Sequence, residues 1–330
     1  MIICLTHMIQ ANKWKNIRQI AAWASYDITN TIFFIGVVGI FFPLWVTNDI
    51  GGNDATVGFT MSAAMIVSLV LAPFFGTLTD HYLSKVWYLG VLTFIGILAV
   101  PLIGEIPVDF ALLLYSISIV CIYMAGIAYN ALLNNISNHE NIGVITGIGV
   151  GVGYLGAVLI VVIAAEIAVD LGNVFGFRIS AVLMFIASLP ALLFLRPKEE
   201  PINDIGVKVI VKNTLRDLYA VFVDIKKYKN VSRFMISRFF YTWSLNTAQS
   251  FAILFGTDTV GYSTKHVEYL LLLGILVGIP SAFVWGKLID LIGAKKSISI
   301  ATFCWSICLF FVAIAPSIDM LGDSFSIVMG

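Results

Sequence analysis

Nine runs of apolar residues, each about the length of a bilayer crossing, fill most of the sequence: 20–46, 56–79, 86–104, 109–133, 142–165, 174–195, 234–256, 266–289 and 297–316. A helix needs about 20 predominantly apolar residues to cross the ~30 Å hydrocarbon layer. No water reaches backbone amides there, so only helices and closed barrels satisfy them. A barrel strand would read as about ten residues of alternating polarity. These runs are longer and continuously apolar, which makes the chain an all-α polytopic membrane protein. Composition agrees: 59% of residues are hydrophobic and 12% charged, against roughly 45–50% and about 25% in soluble domains.

One polar island interrupts the pattern. Residues 196–233 hold nine Lys/Arg (Arg196, Lys198, Lys208, Lys212, Arg216, Lys226, Lys227, Lys229 and Arg233) against five acids. Six apolar runs precede the island and three follow. The closing residues, SFSIVMG, read as the start of another. The sequence thus predicts a six-helix bundle over 1–195, a cytoplasmic basic linker over 196–233 and a partial second bundle over 234–330. The chain is then incomplete relative to a six-plus-six plan. Within the linker, the loose apolar and basic alternation of 207–228 suits either an amphipathic helix on the inner leaflet or a disordered segment. The opening MIICLTHMIQ is too short for a signal-peptide core, so the first span is expected to stay as an uncleaved anchor.

Basic residues set the expected orientation. Sixteen of the nineteen Lys/Arg fall in alternate segments: Lys13, Lys15 and Arg18 before span 1, Lys85 after span 2, the island, and Lys287, Lys295 and Lys296 around the turn after span 8. The opposite loops carry Asp49, Asp54, Glu105, Asp109, Glu166, Asp170, Asp258, Asp319 and Asp323, with Lys265 the one basic residue in them. The positive-inside rule puts the amino terminus and the island in the cytoplasm. Trp14, Trp23, Trp45 and Trp87 lie near span ends, where interfacial aromatic residues belong. Arg178 and Glu166 flank the loop between spans 5 and 6 and are expected to pair across it. Net charge is zero, so no bulk attraction to nucleic acid follows. Of the four cysteines, Cys304 and Cys308 share a helix face, but no further Cys or His lies near them, so they read as small apolar residues rather than metal ligands.

Two loops repeat. Gly76-Thr77-Leu78-Thr79-Asp80 is followed by Lys85, and Gly286-Lys287-Leu288-Ile289-Asp290 by Lys295 and Lys296, with Gly and Asp each displaced by 210 residues. Matched halves are a transporter signature, because two similar units can rock about a central site. Glycine at a span's end permits close backbone approach. Asp and Lys at the membrane edge can bond neighbouring helix ends in one state and release them in another. Gly76, Asp80, Lys85, Gly286, Asp290 and Lys295 are therefore read as gating-loop residues. The paired loops resemble the signature loop of the major facilitator superfamily, whose plan is two six-helix bundles joined by a long cytoplasmic loop. In the first copy His81 stands where the family has Arg, and Leu83 and Ser84 stand where Gly and Arg are expected. The resemblance implies a major facilitator-like two-bundle fold with an incomplete second bundle.

A finer resemblance is to the vacuole-effluxer branch, which includes a vacuolar amino-acid exporter. It rests on Trp23-Ala24-Ser25-Tyr26-Asp27-Ile28-Thr29-Asn30 in span 1 and Tyr129-Asn130-Ala131-Leu132-Leu133 ending span 4. It also takes in the glycines from Gly147 to Gly156 in span 5 and the stretch Pro280 to Lys296 in span 8. Tyr241-Thr242-Trp243-Ser244 stands where that branch has Tyr-x-Asp-Gly. The resemblance implies export or exchange of amino acids and a site that includes Tyr129 and Asn130.

Two polar groupings inside spans point to a solute or coupling-ion site. Asp27 is the one acid within the apolar interior of the first six spans. An intramembrane carboxylate is costly, ~3 kcal/mol at mid-span, and marks function by default. Tyr26 and Asn30 flank it at helical spacing. In span 7, Arg238, Thr242, Asn246 and Gln249 recur at steps of four, four and three. Such a stripe suits either static interhelical bonding or the lining of a watery cavity. Arg238 lies near the repeat equivalent of Asp27 and is expected to attract it in one state; alternatively Asp27 takes a proton. Gly151-Val152-Gly153-Tyr154-Leu155-Gly156 matches the dinucleotide fingerprint only formally, since no strand precedes it. Small residues at that spacing let helices pack closely instead.

The reading is a secondary active transporter, an effluxer or exchanger of a small polar solute, with amino acids suggested by the resemblance alone. It is expected to act as a monomer, with proton or ion coupling and without cofactor, metal or nucleic acid, in the cell membrane or, in a eukaryote, the vacuolar membrane. No Walker A, HExxH or nucleophile-elbow motif occurs, so enzyme chemistry has no support. The rival reading is a non-transporting receptor or scaffold on the same fold, which would need neither an intramembrane charge nor paired gate loops.

Overall fold

Span 1 is the longest of the candidate crossings among the described residues. A computed structural model of the chain describes residues 2–81, 84–164, 171–196, 209, 213–216, 229–255, 261 and 264–329. The helices are α1 (Ile2–Thr31), α2 (Asp54–His81), α3 (Lys85–Ala99), α4 (Val108–Ile136), α5 (Ile142–Ile163), α6 (Asn173–Phe194), α7 (Lys229–Leu254), α8 (Thr264–Ile292) and α9 (Ala294–Met329). No strand occurs among the described residues. Beyond Thr31 the first span continues as a π-helix, π1 (Ile32–Phe41), a turn of α-helix at Phe42–Leu44, and a second π segment, π2 (Trp45–Asp49). The crossing therefore extends over 16–49, longer than the 20–46 expected. Pro43 lies between the two wide-wound segments and has no amide hydrogen to give to the preceding turn.

Eight of the described helices are long and apolar enough to cross a membrane. The expected seventh span, 234–256, is not among them: α7 has the length, but its polar residues leave it less apolar than the rest. Residues 324–329 of the closing SFSIVMG, expected to begin a further span, continue α9 without a break.

The chain forms two units, residues 1–216 with 278–287, and residues 217–277 with 288–330. The expected division fell at the island; in the structure a ten-residue piece of α8 joins the first unit as well. In that unit α1 packs between α5 and α6, α4 lies against α2 and α3, and α6 also touches α3 and π1. Two apolar clusters result. One joins Phe33, Phe41, Phe42 and Trp45 to Tyr115, Ile119, Phe177 and Met184. The other joins Trp23 and Tyr26 to Leu89, Ala128, Tyr129 and Leu132. Large apolar side chains outside the clusters are exposed, Phe59, Leu69 and Phe110 among them. Water would penalise such a surface, whereas lipid accepts it.

Loops expected on one side do meet. Asn173 donates to both carboxylate oxygens of Asp49 at 3.2 and 3.3 Å. Arg178 pairs with Glu105; Glu166, its expected partner, lies outside the described residues. From the linker, Thr214 is buried and donates to the Thr77 hydroxyl at 3.1 Å. The rest of 207–228, apart from 209, 213, 215 and 216, lies outside the described residues.

In the second unit the Trp305 indole donates to Ser244 Oγ at 3.2 Å, joining α9 to α7. Gly293 separates α8 from α9 in the left-handed region, φ +85°, which glycine adopts without steric penalty.

Candidate functional site

Asp27 sits on α1 at the seam between the two apolar clusters, where the span carries most of its polar side chains. Thr29 is buried and donates to the Met184 carbonyl of α6 at 3.2 Å. Thr31 donates to the Asp27 carbonyl at 2.8 Å, which stabilises it inside the helix. Tyr26, fully buried, shares a 2.5 Å hydrogen bond with Thr93 of α3. Asp27 as a residue is partly buried. Asn30, one turn along α1, and Tyr129, from α4, both reach it.

Stacking fixes Tyr129. Its ring lies 4.6 Å from that of Trp23, within 4° of parallel, and the Trp23 indole donates to the Tyr129 carbonyl at 3.1 Å. The Tyr26 ring is 5.1 Å away, tilted by 32°. Residues of the stretches 23–30 and 129–133 therefore meet here. Asn130 does not join them. It stands about 100° further round the helix and is exposed.

The α5 face toward Asp27 is bare. A Cβ on Gly153 would fall 2.7 Å from Asp27 Oδ2 and 3.0 Å from Thr31 Oγ1. One on Gly149 would fall 2.5 Å from Trp23 Cζ3, and one on Gly156 3.0 Å from the Ile28 carbonyl oxygen. Each would require its neighbour on α1 to shift, a side chain at Gly153 and Gly149 and the backbone at Gly156. Other glycines of α5 serve the piece of α8 that belongs to this unit. A Cβ on Gly147 would clash with the Ala282 carbonyl, and one on Gly286 would fall 2.5 Å from the Gly143 carbonyl oxygen. The stretch that mimics a nucleotide fingerprint is thus a helix that lets two neighbours come to backbone distance.

The gating-loop residues differ between copies. Gly286 makes the close approach expected of it; Gly76 does not, since a Cβ there would meet open space. Lys85 opens α3, Asp290 lies in the last turn of α8, and Lys295 is exposed at the start of α9. The Asp80 side chain lies outside the described residues. In the second unit Arg238 and Thr242 of α7 are exposed, and the side chains of Asn246 and Gln249 lie outside the described residues. Reasoning from sequence missed Thr93 and Thr31 at the Asp27 site. Neither stands out in its run, and only the fold brings Thr93 to its partner, Tyr26.

These features define a multi-pass helical membrane protein with a polar cluster set in its first span. Residues 29–330 match the Major Facilitator Superfamily, and the chain belongs to that superfamily. Among curated proteins it is 21% identical over 328 residues to the uncharacterized MFS-type transporter YxiO of Bacillus subtilis (strain 168), covering 92% of this chain and 75% of that protein. It is 27% identical over 305 residues to an uncharacterized protein of Aquifex aeolicus (strain VF5), covering 90% of this chain and 73% of that protein. The class is that of a membrane transporter of small solutes, not of an enzyme.

Proposed function

We propose that this protein is a secondary active transporter, an effluxer or exchanger, that moves a small polar solute by alternating access between two bundles. Residues 1–195 and 234–330 supply the bundles and 196–233 the linker. The distribution of basic residues supports a cytoplasmic amino terminus and linker. Amino acids are the first solutes to test, on the resemblance to the vacuole-effluxer branch. The contact of Trp23 and Tyr26 with Tyr129 supports that branch, because it unites its two matching stretches.

The observation that carries the reading is the Asp27 cluster. A carboxylate in a membrane span survives only where protein or water compensates it. Here Asn30 and Tyr129 reach it, and the residue as a whole is partly buried. Asp27, Tyr26, Asn30 and Tyr129 form the first bundle's share of the solute or coupling-ion site. Arg238, Thr242, Asn246 and Gln249 form the second bundle's share. Gly76, Asp80, Lys85, Gly286, Asp290 and Lys295 gate it, and the protein works as a monomer coupled to a proton or ion.

The test is uptake by proteoliposomes holding the full chain, with a panel of labelled amino acids and other small polar solutes, with and without ion gradients. At least one solute should show saturable uptake. Asp27→Asn should lower that uptake by about tenfold or more, the scale of a hydrogen bond to a charged group. No uptake of any solute would remove the transport reading, and wild-type uptake by Asp27→Asn would remove the site.

A further inference from the structure

Two arginines stand at the end of the first unit where α1 enters its crossing and α6 leaves its own. The candidate crossings begin at Asn16 and end at Phe194 there. Arg18 and Arg196 therefore both lie at the border of the apolar layer, at headgroup depth, and both are exposed. The Arg18 guanidinium lies 3.8 Å from the centroid of the Phe194 ring, the last residue of α6. A ring face attracts a guanidinium and restricts its motion, while the N–H groups at the edge of the planar fork remain available. Leu195 is buried, and its amide donates to the Ala191 carbonyl at 3.1 Å. It pins the chain where α6 ends and delivers Arg196 two residues beyond the ring that carries Arg18. Neither arginine pairs with an acid among the described residues. Glu140, the one acid described at this end of the unit, is exposed in its own loop.

Two positive charges that no acid balances, held at headgroup depth and fitted with planar forks, call for an anion. Their neighbours in sequence say which kind. Ile17 and Leu193, one residue before each member of the Arg18–Phe194 pair, are large, apolar and exposed, 47% and 66%. A ligand that offers phosphate to the arginines and hydrocarbon to such residues is a lipid rather than a free ion. We infer that Arg18 and Arg196, with Phe194 as the platform, form a binding site for the headgroup phosphate of an anionic phospholipid in the leaflet at this end. Arginine suits phosphate because its fork can make two parallel N–H···O bonds. A zwitterionic headgroup brings its own cation to its phosphate, whereas an anionic one leaves the charge for the protein to balance. The bound lipid ties the start of span 1 to the exit of span 6, the two helix ends that the ring contact already joins. The inference does not rest on the transport reading. It takes from it only the name of the leaflet, which is cytoplasmic in the orientation proposed above.

The experiment uses the full chain, delipidated in a mild detergent. Phosphatidylglycerol, phosphatidylcholine with the same acyl chains, and inorganic phosphate are titrated separately at constant ionic strength. Native mass spectrometry counts the lipids retained, and the thermal unfolding midpoint follows occupancy. Phosphatidylglycerol should bind saturably, about tenfold or more tightly than phosphatidylcholine, and raise the midpoint. Arg18→Gln and Arg196→Gln should each weaken it about fivefold, the scale of one basic residue at an anionic surface. Both positions are exposed, so neither change disturbs the core. Arg18→Lys, which keeps the charge and loses the fork, should recover only part of that loss. Phe194→Leu, which keeps both charges and removes the platform, should weaken binding as well. Arg233→Gln, at an exposed position of α7, should bind as wild type. Equal affinity for the two lipids would overturn the site. A loss with Arg233→Gln as large as with Arg18→Gln would overturn it too, since the attraction would then belong to net charge and not to a place. Saturation by inorganic phosphate, with the same midpoint shift and no preference between lipids, would give the arginines to a free anion and remove the lipid.

Discussion

Tyr26 and Thr93 show how a membrane core holds polar groups at a cost that only pairing offsets. Their hydroxyls lie 2.5 Å apart, and both residues are buried. Removing one leaves the other's group without a partner in a medium that supplies none, a loss of about 1–3 kcal/mol. Removing both in shape-preserving fashion can be nearly neutral. Tyr26→Phe and Thr93→Val should therefore each lower thermal stability in detergent, and the double variant should be less destabilised than the sum of the two. Additive losses would mean that the bond contributes nothing. At this scale the sequence is legible where chemistry is rare. Asp27 stands out because an acid inside an apolar run has few cheap explanations, and Asn30 follows from helical spacing. Thr93 does not stand out, since threonine is common in spans and its partner lies 67 residues away. Arg178 has a partner that its own loop does not suggest, Glu105, 73 residues away.

Helices that lack side chains at one face can approach to backbone distance, and α5 does this on two faces. Toward α1 it presents Gly149, Gly153 and Gly156; toward the α8 piece of the same unit it presents Gly143, Gly147 and Gly151. The glycine spacing in the sequence foretold close packing. Which face meets which helix comes only from the fold. The paired loops teach a related lesson, because equal motifs need not do equal work. A Cβ on Gly286 falls 2.5 Å from a backbone oxygen of α5, where no flexible side chain can give way, while one on Gly76 meets nothing. Gly286→Ala should then cost about 1–3 kcal/mol, as overpacking does. Gly76→Ala should be neutral or gain up to about 1 kcal/mol from helix propensity. Thermal unfolding of the two variants in one lipid checks this, and equal effects would contradict the asymmetry. The π-helical half of span 1 had no legible signature at all. Apolar content fixes that a segment crosses, but the winding depends on which neighbours satisfy its carbonyls, and Pro43 is a hint visible only in retrospect.

Across the whole molecule, the alternation of loop charge becomes geometry in the first unit. Asp49, Glu105, Asn173 and Arg178, drawn from three different loops or helix ends, are tied together by hydrogen bonds and an ion pair. These are loops that the charge pattern assigned to one side. Thr77 and Thr214 belong to segments assigned to the other side, and they too bond to each other. Even-numbered crossings return the chain to the same face, so such contacts are what a correct count of the first six spans requires. An error of one span would have separated these partners by the thickness of the bilayer, ~30 Å. Which face is cytoplasmic then rests on the sixteen basic residues of one set of segments. Single cysteines at two exposed positions read this out: Asn53, between α1 and α2, and Arg196, after α6. The native Cys4, Cys121, Cys304 and Cys308 are first replaced by serine or alanine. In intact cells or right-side-out vesicles, a membrane-impermeant maleimide should label Asn53→Cys at once. It should label Arg196→Cys only after permeabilisation. Reversed labelling would invert the molecule and put the basic linker outside, against the strongest regularity in the sequence. Equal labelling of both before permeabilisation would break the count of crossings itself, since five, an odd number, separate Asn53 from Arg196.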